Sequence, residues 1–93
     1  MNLNEEQLEK IKEYGALFLS AREIACMLEL DIDEFIEEVS NRRTPAYLYW
    51  FKGQTESKYE IRKKVISLAK MGSPQAETLS EKYIQEQEIK SNV

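Results

Sequence analysis

The chain contains no histidine, one cysteine, three glycines and two prolines among its 93 residues. Without histidine, it lacks the commonest general base and metal ligand in proteins. It also has no glycine-rich phosphate loop, no nucleophile elbow and no paired-cysteine motif. We therefore expect a protein that is not an enzyme and that holds neither a metal nor a cofactor.

Long apolar segments are also missing. No run approaches the roughly 20 apolar residues that a membrane-spanning helix needs, and the first residues are acidic rather than signal-like. A lone cysteine, Cys26, cannot form an intramolecular disulfide, which fits a reducing compartment. These features predict a cytoplasmic protein without a membrane partner.

The net charge of −4 conceals an uneven distribution along the chain. Residues 1–40 hold eleven acidic and three basic side chains, whereas residues 41–72 hold two acidic and eight basic ones. The acidic total argues against strong, sequence-independent binding to nucleic acid. The basic middle segment leaves DNA binding open.

The apolar pattern and the scarcity of glycine and proline predict an all-α fold built around Ser20–Val39. Ser20 and Glu23 form a capping-box signature, and Asp31 can cap a second short helix. Two short helices joined by a short turn make a helix-turn-helix unit. Glu29 stands where such turns often have glycine, which predicts either local strain or a different turn.

The remaining segments predict three further helices in a single domain of residues 1–93. A first helix spans about Asn4–Leu19, and Asn4 and Gln7 form its predicted capping pair. Gly15 within it is either a point of close helix approach or a tolerated glycine. A long helix begins at Thr44-Pro45 and continues to Lys70 or Met71, with a bend expected at Gly53. Residues 1–44 would form the helix-turn-helix head, and residues 45–90 the long helix and a C-terminal αα-hairpin. The last helix covers about Pro74–Gln87, and residues 91–93 are expected to fray.

The long helix carries more apolar surface than a small head needs. We expect Tyr47, Trp50 and Phe51 to face the head, with Tyr49 or Leu48 pointing elsewhere. Because aromatic side chains are favoured at interface cores, the surplus predicts a homo-oligomer. The alternative is a compact five-helix monomer in which the long helix breaks near Gly53. The predicted oligomer interface consists of Tyr47, Trp50, Phe51, Ile61, Val65 and Leu68.

The second short helix is a poor candidate for reading DNA. Its outward residues are carboxylates, which phosphates repel, and it lacks the usual base-contacting side chains. Those outward residues are Asp33, Glu34, Glu37 and Glu38. Any DNA contacts are therefore expected from basic residues outside this helix, although each could equally be a solvated surface charge. The candidates are Arg22, Arg42, Arg43, Lys52, Lys63 and Lys64.

The order of these segments resembles the small subunits of phage terminases. The resemblance rests on the REIA stretch at residues 22–25, the long helix after it, and the GSPQA turn at residues 72–76. It extends from Leu8 to Ile84. It implies an oligomeric, often ring-forming protein that recognises double-stranded DNA and delivers it to a large, ATP-driven terminase subunit.

Two functions therefore remain open from the sequence. One is a DNA-binding oligomer of phage or prophage origin that takes part in DNA packaging. The other is a protein-interaction or structural module that retains the helix-turn-helix scaffold without reading DNA. In the second case, the acidic head would pair with a basic helix of a neighbouring subunit or of another partner.

Overall fold

The structure is a computed structural model that describes the backbone of residues 1–90 and the side chains of residues 1–87. Over these residues the chain is all-helical, as predicted, and contains no β-strand. The predicted fraying of residues 91–93 lies outside the described part. Two compact units follow each other in the chain, Met1–Lys58 and a second unit that begins at Tyr59. The helices are α1 (Glu5–Ala16), α2 (Ala21–Met27), α3 (Ile32–Ser40), α4 (Pro45–Lys70) and α5 (Pro74–Lys90).

The first two helices begin at the capping residues that the sequence predicts. Asn4 and Gln7 form a reciprocal capping box at α1, with hydrogen bonds of 2.8 and 2.9 Å. At α2 the Ser20 backbone N–H donates to Glu23 Oε1 at 2.8 Å, and the Glu23 N–H donates to Ser20 Oγ at 3.2 Å. The Ser20 hydrogen bonds also lower the pKa of Glu23. Each cap satisfies backbone amides that would otherwise lack a partner.

Helices α1 and α2 are each followed, two residues after their last helical residue, by a residue with positive φ that is not glycine. Phe18 (φ 60°) and Glu29 (φ 57°) occupy the left-handed region, which is unfavourable for residues with a side chain. After α2, the Leu30 N–H donates to the Ala25 carbonyl, and this bond closes a Schellman turn. The strained form of the turn at Glu29 is therefore confirmed. The turn at Phe18 ends α1 at Ala16, three residues before the predicted end at Leu19.

The core of the first unit forms between the short helices, α1 and the start of α4. Ile11, Ile24 and Phe35 are its largest fully buried side chains. Helix α4 contributes Ala46, which is buried, and Tyr49 and Trp50, which pack against the core while remaining partly exposed. Because Ala46, Tyr49 and Trp50 pack against this core, the first unit includes the start of α4 and extends to Lys58.

Gly15 and Gly53 allow α1 and α4 to approach each other closely. A Cβ at Gly15 would lie 2.6 Å from the Trp50 carbonyl oxygen, and one at Gly53 would overlap the Lys12 carbonyl oxygen. The close-approach hypothesis for Gly15 is confirmed. Helix α4 is continuous through Gly53, so it lacks the break that the compact five-helix monomer requires. Gly53 instead allows the close contact between the backbones of α1 and α4.

The second unit consists of the C-terminal part of α4, a turn and α5. Gly72 has φ 94° and ends α4, and Pro74 is the first residue of α5, as predicted. Arg62 of α4 contacts α5 twice. Its guanidinium lies 4.4 Å from the centre of the Tyr83 ring, and its Nη2 lies 2.9 Å from Glu86 Oε2.

Candidate nucleic-acid and subunit interfaces

The outward face of α3 is acidic, as the sequence predicts. Asp33, Glu34 and Glu37 are exposed, while the less exposed Glu38 has its Oε1 3.8 Å from the Met1 amino nitrogen. Asp33 and Glu34 lie in the first turn of α3, where carboxylates suit the positive end of the helix dipole, so these two acidic residues have a structural reason for their position. The charge of this face nevertheless opposes contact with phosphates.

Arg42 and Arg43 lie in the turn between α3 and α4, and both are exposed. The turn is held by local hydrogen bonds. The Arg43 N–H donates to Asn41 Oδ1 at 3.0 Å, and Thr44 Oγ1 lies 2.8 Å from the Glu38 carbonyl oxygen. Thr44 Oγ1 also accepts the Tyr47 N–H at 3.2 Å, which confirms Thr44 as the cap of α4. An ordered backbone thus presents two guanidinium groups to solvent, and neither has an ion-pair partner among the described residues.

The other two predicted DNA contacts of the first unit differ in their surroundings. Arg22 is exposed in the first turn of α2 and makes no ion pair with a described residue. Lys52 is exposed on α4, with its Nζ 4.0 Å from Glu56 Oε1. Lys12 Nζ lies 3.9 Å from the same oxygen. Because a nearby carboxylate offsets its charge, Lys52 is a weaker candidate than the arginines.

Lys63 and Lys64 belong to the second unit, where both are exposed. Lys63 Nζ lies 5.6 Å from the centre of the Tyr59 ring, which is within the range of a cation–π contact. Neither lysine forms an ion pair with any side chain that the structure describes. Lys63 and Lys64 remain candidate phosphate contacts, and they belong to a different unit from Arg42 and Arg43.

The aromatic segment at the start of α4 divides between core and surface. Trp50 packs against the core as predicted, and Leu48 is exposed. The prediction is wrong for Phe51, which is exposed and stacks on Tyr47 with ring centres 5.6 Å apart. Tyr49 packs in its place because Ala46, Tyr49 and Trp50 share one face of the helix at spacings of three and four residues.

Tyr49 also ties α4 to the start of α1 in the first unit. Its hydroxyl donates to Glu5 Oε1 at 2.9 Å, and this hydrogen bond, together with partial desolvation, raises the pKa of Tyr49. The sequence offered no signal for this contact, because the two residues are far apart in the chain. The contact contributes to fixing the register of α4 against α1.

The second unit exposes much of its apolar surface. Ile61, Val65 and Leu68 lie on one side of α4 at spacings of four and three residues, and we call them the α4 strip. Ile61 and Leu68 line a shallow groove, and these residues are 47% and 42% exposed. Leu79 and Ile84 of α5 are 40% and 54% exposed.

Neither a metal site nor a membrane span is found in the described part of the chain. Among the side chains of residues 1–87, no group of three or more Cys, Asp or Glu could hold a metal ion. No described helix is long and apolar enough to cross a bilayer.

Comparison with known proteins found no match: no protein-family model, no curated protein and no solved structure is detectably similar to the chain.

Proposed function

We propose that the protein binds double-stranded DNA as an oligomer, with the turn between α3 and α4 as its main phosphate contact. The observation that carries this proposal is the exposed pair Arg42 and Arg43, which has no ion-pair partner among the described side chains and lies on a turn held by Thr44. Arginine is well suited to phosphate because its guanidinium can donate two parallel hydrogen bonds. In this proposal α2 and α3 form a helix-turn-helix scaffold, and the phosphate-contacting residues lie beside α3.

Affinity in this proposal comes from repeated weak contacts. Each copy supplies only a few basic side chains, and the acidic face of α3 weakens the overall attraction to DNA. Once one copy in an oligomer has bound DNA, the binding sites of the other copies are held at a high effective concentration near it. Sites that are weak individually can therefore give tight binding together. The resemblance to terminase small subunits makes viral DNA packaging the specific role that we propose, with a large terminase subunit as the partner.

The test is a fluorescence-anisotropy titration of labelled duplex DNA over a series of salt concentrations. Because phosphate contacts release counterions, a plot of the logarithm of the binding constant against the logarithm of the salt concentration should have a slope of about −0.9 for each phosphate contact. The double variant Arg42→Glu/Arg43→Glu should abolish binding at low salt. The matched control is Lys10→Glu/Lys58→Glu, which makes the same charge change at exposed positions of the first unit. Equal losses in the two variants would refute a specific role for the arginine turn.

A second candidate function is favoured by the acidic face of α3. Asp33, Glu34 and Glu37 form an exposed carboxylate surface that suits a basic protein partner better than DNA. A lysine-rich helical peptide is the appropriate probe. The variant Asp33→Lys/Glu37→Lys should lose binding of this peptide, whereas Arg42→Glu/Arg43→Glu should retain it. DNA binding should show the opposite pattern.

A further inference from the structure

The start of α4 combines exposed aromatic side chains with positive charge. Residues 41–55 include three basic side chains and no acidic one. The basic residues are Arg42, Arg43 and Lys52. On the same stretch Phe51 is 48% exposed, and Tyr47 beside it is half-buried. Aromatic rings interleaved with cations are the combination with which proteins bind single-stranded nucleic acid.

The exposed rings belong to a cluster that is anchored in the core of the first unit. Trp50 packs against that core, and its ring centre lies 6.0 Å from that of Tyr47, with the planes tilted by 46°. Phe51 stacks on Tyr47 with its ring plane only 13° from parallel. We call Tyr47 and Phe51 the aromatic platform. Because each ring is held by its neighbour, little ordering is needed when a further ring stacks on the platform.

The aromatic platform is tied to the turn that carries Arg42 and Arg43, the arginine turn. The Tyr47 N–H donates to Thr44 Oγ1 at 3.2 Å, and Thr44 directly follows Arg43. Four residues separate Arg43 from Tyr47, a rise of about 6 Å in a helix. Successive phosphates of a DNA strand are about 3.4 Å apart along the duplex axis. A strand with a phosphate at the arginine turn therefore has its neighbouring bases within reach of the platform.

We propose that an unpaired DNA base stacks on the aromatic platform, so that the protein prefers a duplex with a single-stranded tail to a blunt duplex. This inference rests on the proposed function, because the arginine turn holds the adjoining phosphates. Within a duplex both faces of a base are covered by its neighbours, whereas a base in a single strand is free to stack on an aromatic side chain. The preference should tolerate different tail sequences, since every base has a flat face.

Three labelled probes test the proposal by fluorescence anisotropy. They share one duplex, which is either blunt, extended by a single-stranded thymidine tail, or extended by a tail of equal length whose sugars carry no base. The two tails hold the same number of phosphates, so the difference between them isolates the base. The wild type should bind the thymidine tail at least about fivefold more tightly than the abasic tail.

The salt dependence provides a second readout from the same titrations. Affinity for all three probes should fall as salt is raised, because phosphate contacts release counterions. The ratio between the two tails should persist, because stacking of a base releases none. Equal affinity for the two tails would overturn the proposal and would favour a protein as the occupant of this face. This comparison uses the wild type alone and needs no variant.

Removing the two rings should remove only the preference for the base. Tyr47→Leu/Phe51→Leu keeps apolar side chains on the helix without an aromatic face, and it should bind both tails equally. The matched control Tyr47→Phe/Phe51→Tyr keeps two rings and should retain the ratio. Tyr59→Leu removes an exposed ring from the second unit and should also retain it. Circular dichroism shows whether the leucine variant is folded, and a folded variant with the wild-type ratio would contradict the proposal.

The same probes separate this inference from the proposed function. Arg42→Glu/Arg43→Glu should abolish binding of the blunt duplex, whereas the leucine variant should bind it as the wild type does. A wild type that binds the blunt duplex without distinguishing the two tails keeps the proposed function and overturns this inference. A wild type that binds only the thymidine-tailed probe supports the platform and contradicts binding of duplex DNA.

Discussion

Replacing Gly53 by alanine should destabilise the protein, although alanine is the better helix former. A Cβ at this position would overlap the Lys12 carbonyl oxygen and would lie 2.8 Å from its carbonyl carbon and 3.1 Å from its Cα. All three are backbone atoms of α1, which cannot rotate away as a side chain would. The added methyl group must therefore push α1 and α4 apart.

The magnitude follows from two opposing effects. Alanine in place of glycine stabilises an open helix interior by about 1 kcal/mol. Overpacking costs about 1–3 kcal/mol, and contact with rigid backbone places Gly53→Ala at the upper end. The net loss is therefore about 2 kcal/mol. In a domain of this size, a loss of that magnitude lowers the unfolding midpoint by about 8–16 °C.

Thermal unfolding followed by circular dichroism, with Trp50 fluorescence as a second probe, measures this loss. Gly15→Ala should show a smaller decrease, since a Cβ there would meet one oxygen at 2.6 Å. Thr55→Ala provides the control, because Thr55 is exposed on the same helix and gains only a few tenths of a kcal/mol from the better propensity. If Gly53→Ala were as stable as the wild type, the backbone contact between α1 and α4 would be refuted.

Three further predictions concern the first unit: the turn after α2, the cap of α2 and the hydrogen bond between Tyr49 and Glu5. Glu29→Gly should raise the free energy of unfolding by about 1 kcal/mol in a denaturant titration, because glycine removes the left-handed strain; an unchanged midpoint would contradict the positive φ. Ser20→Ala should cost about 1 kcal/mol through loss of the cap. The stability that the Glu23 carboxylate adds by accepting the Ser20 N–H should be lost in acid as the pH falls through its lowered pKa, so Glu23→Gln should depend less on pH than the wild type, and equal pH dependence would argue against the reciprocal bond. Tyr49→Phe should be less stable than the wild type at neutral pH, where the phenol donates to Glu5. Because the folded-state pKa of Tyr49 is raised, that difference should disappear as the pH rises through it, and its persistence in strong base would refute the contact.

The helix starts could be predicted because they depend on neighbours in the chain. The capping boxes at Asn4 and Ser20 and the start of α4 at Thr44-Pro45 involve residues within three positions of each other. The end of α1 was missed, since Phe18 carries no stop signal and adopts its left-handed conformation without glycine.

For the candidate surfaces, too, some features could be predicted from the sequence and others could not. The acidity of α3 and the basic character of Arg42 and Arg43 can be read directly from composition, and the structure shows these side chains exposed. Whether Lys52 lies near a carboxylate from its own helix could be anticipated from its spacing to Glu56. The approach of Lys12 to the same carboxylate could not, because it requires α1 and α4 to be adjacent.

The sequence by itself determined the helical content, the caps and the uneven charge, because each is a property of short segments. Only the tertiary structure decided which face of α4 meets the core, and it did so through contacts between distant residues. Gly15 and Gly53 let two backbones touch, and Tyr49 then reaches Glu5 across that contact. A pattern in one helix cannot specify such choices, since they depend on the shape of the helix packed against it.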